Sequence, residues 1–250
     1  MGVIIFFIGG LVFGSFLNVL IYRLDRQEGL LTGRSECRNC KTQLKWLDLI
    51  PLASFIFLKR RCRYCKAKIS YVYPSVELLT GVVFALFYLK LGIPYNMGLF
   101  YQLILVFLSI SIIFFDYIYY IIPDKIVLPL ICMSLILSLT VRRAELVNLL
   151  TSGLLFGGFF AILYIVSRGK WVGLGDAKLS LLIGLSLGYP AGFLVMVVSI
   201  WTAALVGLTL IIFKRASFKS ELPLGLFLSS YLIILIIFQH EIQIFNRFFY

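Results

Sequence analysis

Acidic side chains are scarce in this chain, 11 among 250 residues, and Glu77, Asp116, Asp124 and Asp176 lie in or beside long apolar runs. An aspartate within a transmembrane helix costs about 3 kcal/mol on insertion scales, so each position needs a reason. Asp116 closes the run SISIIFF, and Asp176 opens another in WVGLGDAKLS, residues 171–180. Two carboxylates that meet cannot both ionise easily, so the pair shares a proton. The ionised partner then activates water, while the protonated one polarises a carbonyl and later donates to a leaving amine. That division of labour cuts amide bonds. Gly173 and Gly175 flank Asp176 and permit positive φ and close approach of a substrate backbone. A helix that starts near Asp176 presents the positive end of its dipole there. Asp124 follows Pro123 and can cap the next helix. Glu77 lies one turn into an apolar run, where it can bond a loop or position a substrate or cofactor.

A second group of residues suits a metal. Cys37 and Cys40 form C-R-N-C, and Cys62 and Cys65 form C-R-Y-C, separated by 21 residues. Four thiolates from two tight knuckles close a tetrahedral zinc site, with no coordination position left for catalysis. Arg38, Lys41, Arg61, Arg63 and Lys66 crowd the pairs and offset the charge of four thiolates. Redox chemistry and plain free thiols are the alternatives; a reducing compartment weighs against disulfides. Cys132, in an apolar run, reads as a small filler.

Other chemistries lack their residues. His240 is the single histidine, so a Ser/His/Asp set and an H-E-x-x-H zinc protease are both absent. GLGDAK lacks the spacing and the preceding strand of a dinucleotide fingerprint.

The elements that position these groups are membrane helices. Hydrophobic residues make up 61% of the chain and charged ones 14%, against roughly half and a quarter in soluble domains. Eight spans fit, at about 2–22, 74–90, 99–115, 126–141, 148–167, 177–188, 190–213 and 222–239. Gly188-Tyr189-Pro190 breaks a stretch too long for one helix. No alternating strand pattern supports a barrel. The expectation is an all-α polytopic membrane protein of about eight transmembrane helices, with a small cytoplasmic zinc-binding loop between helices 1 and 2. Its parts are a first helix (1–22), a cysteine loop (23–73) and a membrane core (74–250). Within the loop, residues 48–58 (DLIPLASFIFL) are apolar but too short to span, which suits an interfacial or re-entrant segment.

With the N-terminus outside, the loops 23–73, 116–125, 168–178 and 214–221 face one side and hold 19 of the 23 basic residues. That side is cytoplasmic by the positive-inside rule. The net charge of +12 is thus mostly topological; it favours anionic lipid and calls for no nucleic acid. Both Asp116 and Asp176 fall at the cytoplasmic edge.

The chain resembles the type IV prepilin peptidases, membrane aspartic proteases of the GxGD group. The matching stretches are GSFLNVLIYRL (14–24), the two C-x-x-C pairs, ISYVYPSVELLTG (69–81), DYIYYIIPDKIVLPL (116–130), GLGDAK (173–178) and LPLGLFL (222–228). The resemblance spans nearly the full length and implies a bacterial cytoplasmic-membrane enzyme. Asp116 and Asp176 would be its catalytic pair, with Gly173, Gly175, Pro123 and Asp124 in support. The implied substrates are prepilins or pseudopilins of pilus, secretion or competence systems, cut after a glycine at the cytoplasmic face. Many members also methylate the new N-terminus with S-adenosylmethionine, an activity associated with the cysteine region and the N-terminal part. Leu224 stands where the family often has phenylalanine, and the first loop carries no cofactor fingerprint. The alternative class is a proton- or cation-coupled transporter using the same carboxylates; it would place them near midplane in repeated halves, and no repeat is visible.

Overall fold

A computed structural model describes residues 1–25, 34–215 and 222–248. Most of the loop expected at 214–221, and residues 26–33 of the cysteine loop, lie outside these. The described residues are helical, apart from loops and two isolated bridges, Glu36 with Gln43 and Arg61 with Lys68. The chain divides into two units, Met1–Ile93 and Pro94–Tyr250.

The first unit is built on two antiparallel helices, α1 (Gly2–Asp25) and, beyond the cysteine loop, α3 (Val72–Leu91). Gly10 and Gly14 set their spacing. A Cβ on Gly10 would stand 2.7 Å from the Thr80 carbonyl oxygen, and one on Gly14 would stand 2.7 Å from Glu77 Cα. This G-x-x-x-G pair lets two apolar backbones touch, which is how helices associate where lipid competes for every side chain. The connecting loop holds a 3-10 turn at Trp46–Asp48 and the short helix α2 (Ala53–Phe57). The apolar stretch 48–58 therefore folds as two short pieces around a sharp turn. Leu52, at φ 58° and ψ −46°, centres a γ-turn in which the Ala53 amide reaches the Pro51 carbonyl at 2.6 Å. A residue with a Cβ takes that geometry only under strain.

The second unit holds α4 (Met97–Tyr119), α5 (Asp124–Thr140), α6 (Leu146–Ser167), α7 (Leu174–Leu187), α8 (Ala191–Ile212) and α9 (Leu224–Phe248). Asn96 caps α4 by accepting from the Leu99 amide at 2.8 Å. The short helix α7 is the hub of this unit, in contact with α5, α6, α8 and α9. Gly184 permits the α6 contact, since a Cβ there would lie 2.5 Å from backbone atoms of Gly153. Gly188 ends α7 at φ 69°, its amide bonded to the Gly184 carbonyl at 2.8 Å, as a glycine in that region does after a helix. Tyr101 of α4 ties to α7 through its hydroxyl, 2.7 Å from that of Ser186.

Five helices are long and apolar enough to cross a membrane: Gly2–Leu24, Val72–Leu91, Met97–Tyr119, Arg143–Ser167 and Ala191–Ile212. α5, α7 and the apolar part of α9, Leu224–Gln239, are shorter. All eight apolar runs of the sequence thus become helices. Large apolar side chains such as Leu154, Ile162, Trp201 and Leu205 face outward, a surface suited to lipid rather than water. The chain is a multi-pass membrane protein. The expected span 99–115 is longer, running on to Tyr119, so Asp116 stands inside the last turn of α4.

Candidate active site

The last turn of α4 points a carboxylate at the first turn of α9. Asp116 is 5% exposed, and its Oδ2 accepts the Leu226 amide at 2.9 Å. The Gly225 amide also bonds this carboxylate. Both donors belong to the start of α9, where backbone N–H groups have no partner within the helix and attract anions. Gly225 is required for the approach: a Cβ there would be 2.9 Å from Asp116 Oδ2 and 2.7 Å from Ile122 Cδ1.

Ile122 links this carboxylate to the second one. After α4 the chain takes a left-handed turn at Tyr120, φ 56°, and buries Ile122 and Pro123 before α5 begins. Ile122 then touches two glycines from distant parts of the chain. A Cβ on Gly175 would lie 2.8 Å from Ile122 Cβ, as one on Gly225 would clash from the α9 side. Asp176 is the residue after Gly175 and the third of α7; its Oδ2 accepts the Gly173 amide at 3.1 Å. Asp116 acts on it electrostatically. The glycine before Asp176 and the glycine that admits Asp116 thus both meet a single isoleucine.

A salt bridge lies on the same junction. Lys178 Nζ, in the first half of α7, donates to both oxygens of Asp124 at 2.7 and 2.8 Å. Asp124 therefore does not cap α5. Pro123 occupies the cap position without a side-chain bond, and Asp124 begins the helix itself, where its charge suits the dipole. The expectation of positive φ at Gly173 and Gly175 also needs correction. The positive-φ glycines among the described residues are Gly92, Gly169 and Gly188. Gly175 serves close approach instead, and Gly173 supplies the extended residue before α7, at φ −79° and ψ 153°.

The four cysteines form a separate cluster in the first unit. All are unbridged, and their sulfurs lie within 4.8 Å of one another. Cys37 Sγ and Cys65 Sγ are 3.8 Å apart, and sulfurs about 2.3 Å from a tetrahedral metal stand about 3.8 Å from each other. The knuckles share one geometry. The Cys37 amide bonds the Thr42 carbonyl and the Cys62 amide the Ala67 carbonyl, each at 2.9 Å; Lys41 and Lys66 both have φ 59°. The Ala67 amide and Asn39 lower the Cys65 thiol to about 6, which favours the thiolate a metal needs. Burial pushes Cys37 up to about 11. Each knuckle docks through an arginine: Arg38 lies over the Tyr22 ring at 4.3 Å and Arg60 over the Tyr71 ring at 3.8 Å. Cys132, expected as a small apolar filler in a span, is exposed on α5.

Glu77 is buried on α3 and accepts the amide of the strained Leu52 at 2.8 Å. It lines a cavity of about 1310 Å³ formed by α1, α3 and the cysteine loop.

Two family models match the chain. The Bacterial Peptidase A24 N-terminal domain covers residues 8–91, and the Type IV leader peptidase family covers residues 103–208. A prepilin leader peptidase/N-methyltransferase of Klebsiella pneumoniae is 34% identical over 197 residues, 74% of this chain and 85% of the relative. The chain belongs to the type IV leader peptidase family. Relatives of the same description in Bacillus subtilis (strain 168) and Aeromonas salmonicida (strain A449) are 31% and 28% identical, over 88% and 89% of this chain and 87% and 86% of theirs. No solved structure matches.

In this member of the family, Gly175 and Gly225 abut Ile122, Asp116 lies on the Gly225 side, Gly173 bonds Asp176, and Pro123 and Asp124 follow Ile122 in the chain. Glu77 and the four cysteines lie in the other unit. Lys178, Ile122 and Gly225 had no role assigned from sequence, although each sits in a stretch that carries the resemblance. Their one-dimensional signal was the motif itself; their partners are 50 or more residues away. Nothing in the site favours a transporter: its carboxylates sit at helix ends on backbone donors.

Proposed function

We propose that this chain is an aspartic endopeptidase of the cytoplasmic membrane, which removes the leader of prepilins or pseudopilins at the cytoplasmic face and then methylates the new N-terminus. What supports the peptidase reading is that Gly225, which abuts the Asp116 carboxylate, and Gly175, which precedes Asp176, both meet Ile122. In this mechanism the pair shares one proton. The ionised carboxylate takes a proton from water as it attacks the scissile carbonyl; the protonated one donates to the carbonyl oxygen. Collapse of the tetrahedral adduct returns a proton to the departing amine. The backbone donors of Leu226, Gly225 and Gly173 hold the carboxylates without using a side chain that could compete for that proton.

The cysteine cluster fits structural zinc. Its four sulfurs leave no open position, so the metal would fasten the knuckles to Tyr22 and Tyr71 rather than activate water. The cavity beside it is large enough for a cofactor of nucleoside size, and Glu77 and Asn18 offer acceptors within it. S-adenosylmethionine, when bound, supplies an electrophilic methyl group. The chain's part is to hold the acceptor amine and exclude water. A topology with the N-terminus outside, and with the cysteine loop and both aspartates on the cytoplasmic side, accords with the basic loops.

The test is incubation of the purified protein with a prepilin and S-adenosylmethionine, read by mass spectrometry. The reading predicts cleavage just before the apolar helix and one added methyl. An intact prepilin, under conditions where a relative processes it, contradicts it.

A further inference from the structure

A residue that lines the cavity of the first unit carries a buried acceptor that no described residue satisfies. Asn18, on α1, is 3% exposed. Its Nδ2 donates to the Tyr73 carbonyl at 3.0 Å, which fixes the amide orientation. Its Oδ1 is buried without a hydrogen-bond partner among the described residues, and Asn18 lines the cavity. Folded proteins leave few such atoms, because the acceptor forfeits water and gains nothing.

Helix register puts a second acceptor beside it. Gly14 packs against Glu77, and Asn18 bonds the backbone of Tyr73. Gly14 and Asn18 are four residues apart on α1, as Tyr73 and Glu77 are on the antiparallel α3. Asn18 and Glu77 therefore sit about one helical turn, roughly 5.4 Å, apart along the pair. Glu77 is 9% exposed and is braced by the Leu52 amide at 2.8 Å and by Ser15. Asn18 and Glu77 come from the two helices; of the lining cations Arg23 is also on α1, while Arg34, Arg38, Arg63 and Lys68 come from the loop, as do the carboxylates of Glu36 and Asp48.

We propose that Asn18 Oδ1 and the Glu77 carboxylate form a subsite for a primary amine. A carbonyl acceptor one turn from a carboxylate offers hydrogen bonds and charge to a group with several N–H donors, and offers nothing to an anion. The proposal rests on the methyl-transfer half of the function above. Two amines meet the description: the N-terminus freed by cleavage, and the amino group of the methyl donor's amino-acid end.

The experiment uses the full chain in detergent. It measures the methylated share of cleaved product, the affinity for S-adenosylhomocysteine and the zinc content as a check on folding. Asn18→Leu keeps the shape and removes the acceptor; its methylated share is expected to fall about tenfold, the worth of one good hydrogen bond to a charged group. Asn18→Asp keeps an acceptor and loses the Nδ2 donor to Tyr73; it is expected to retain most of the methylation. Glu77→Gln serves as a second variant should Asn18→Leu lose its zinc, with the same loss expected. An unchanged S-adenosylhomocysteine affinity in these variants assigns the subsite to the substrate amine, and a weakened one assigns it to the donor's amine. The proposal is overturned if Asn18→Leu and Glu77→Gln methylate like wild type with unchanged affinity. It is equally overturned if Asn18→Asp fails as badly as Asn18→Leu, since Asn18 would then only clamp Tyr73. A wild-type protein that cleaves but never methylates contradicts the functional reading, and this subsite with it.

Discussion

The Leu226 amide donates to Asp116 Oδ2 at 2.9 Å, across 110 residues of sequence. That bond, with the Gly225 amide beside it, joins the end of α4 to the start of α9 and holds the carboxylate in place. The motif LPLGLFL thereby acquires a physical purpose. Its glycine admits the carboxylate and its following residue supplies the donor.

Glycine at 225 and 175 should be needed for space. Each Cβ would meet Ile122 at under 3 Å, at 2.7 Å from Gly225 and 2.8 Å from Gly175. Forcing one in costs about 1–3 kcal/mol of strain, so Gly225→Ala and Gly175→Ala should each lower the rate of leader cleavage by about ten- to a hundredfold. Ile122→Ala should restore part of the Gly225→Ala loss in a double-mutant cycle, because it removes the Cδ1 being struck, and less of the Gly175→Ala loss, whose nearest contact is the Cβ that alanine keeps. Additive losses of Gly225→Ala and Ile122→Ala would mean that Gly225 acts on something other than Ile122.

The Asp124–Lys178 pair should have a small effect that depends on charge pairing. Its side chains are 54% and 27% exposed, so solvent screens it to about 0.2–1 kcal/mol. Lys178→Ala should slow cleavage by about two- to fivefold, and the swap Asp124→Lys with Lys178→Asp should recover most of that. A swap worse than either single change would show that one of the two charges acts on substrate instead.

Zinc should govern methylation and spare cleavage. The four sulfurs lie in the first unit and both aspartates in the second. Metal analysis should find one zinc per chain. Cys37→Ser or Cys62→Ser should lose it, together with protection of the cysteine loop from protease. The methylated share of product should collapse while the leader is still removed. Loss of both activities in a variant that remains in the membrane would contradict this separation.

Much of this architecture is legible in one dimension. Eight apolar runs, broken by Gly188-Tyr189-Pro190 and by basic loops, become eight helices because lipid-soluble runs have few other ways to satisfy their backbones. The two C-x-x-C pairs likewise declare a knuckle geometry that needs only local hydrogen bonds. What stays hidden is contact between distant stretches. Asp124 reads as a cap because Pro123 precedes it; its real partner, Lys178, is 54 residues away. Gly173 and Gly175 read as conformational devices, yet Gly175 is shaped by an isoleucine on another loop. Asn18 looks like one polar residue in an apolar helix until its side chain is found beside a cavity, its oxygen unpartnered among the described residues.

In the proposed mechanism Asp116 and Asp176 act together on one peptide bond. The direct measurement is mass spectrometry of a prepilin's N-terminus after co-expression with wild type, Asp116→Asn and Asp176→Asn, each confirmed in the membrane. The prediction is a removed leader with wild type, and with each variant a loss of cleavage of at least about a hundredfold, as removal of an essential proton-transfer group produces. Full processing of the prepilin by either variant would contradict it.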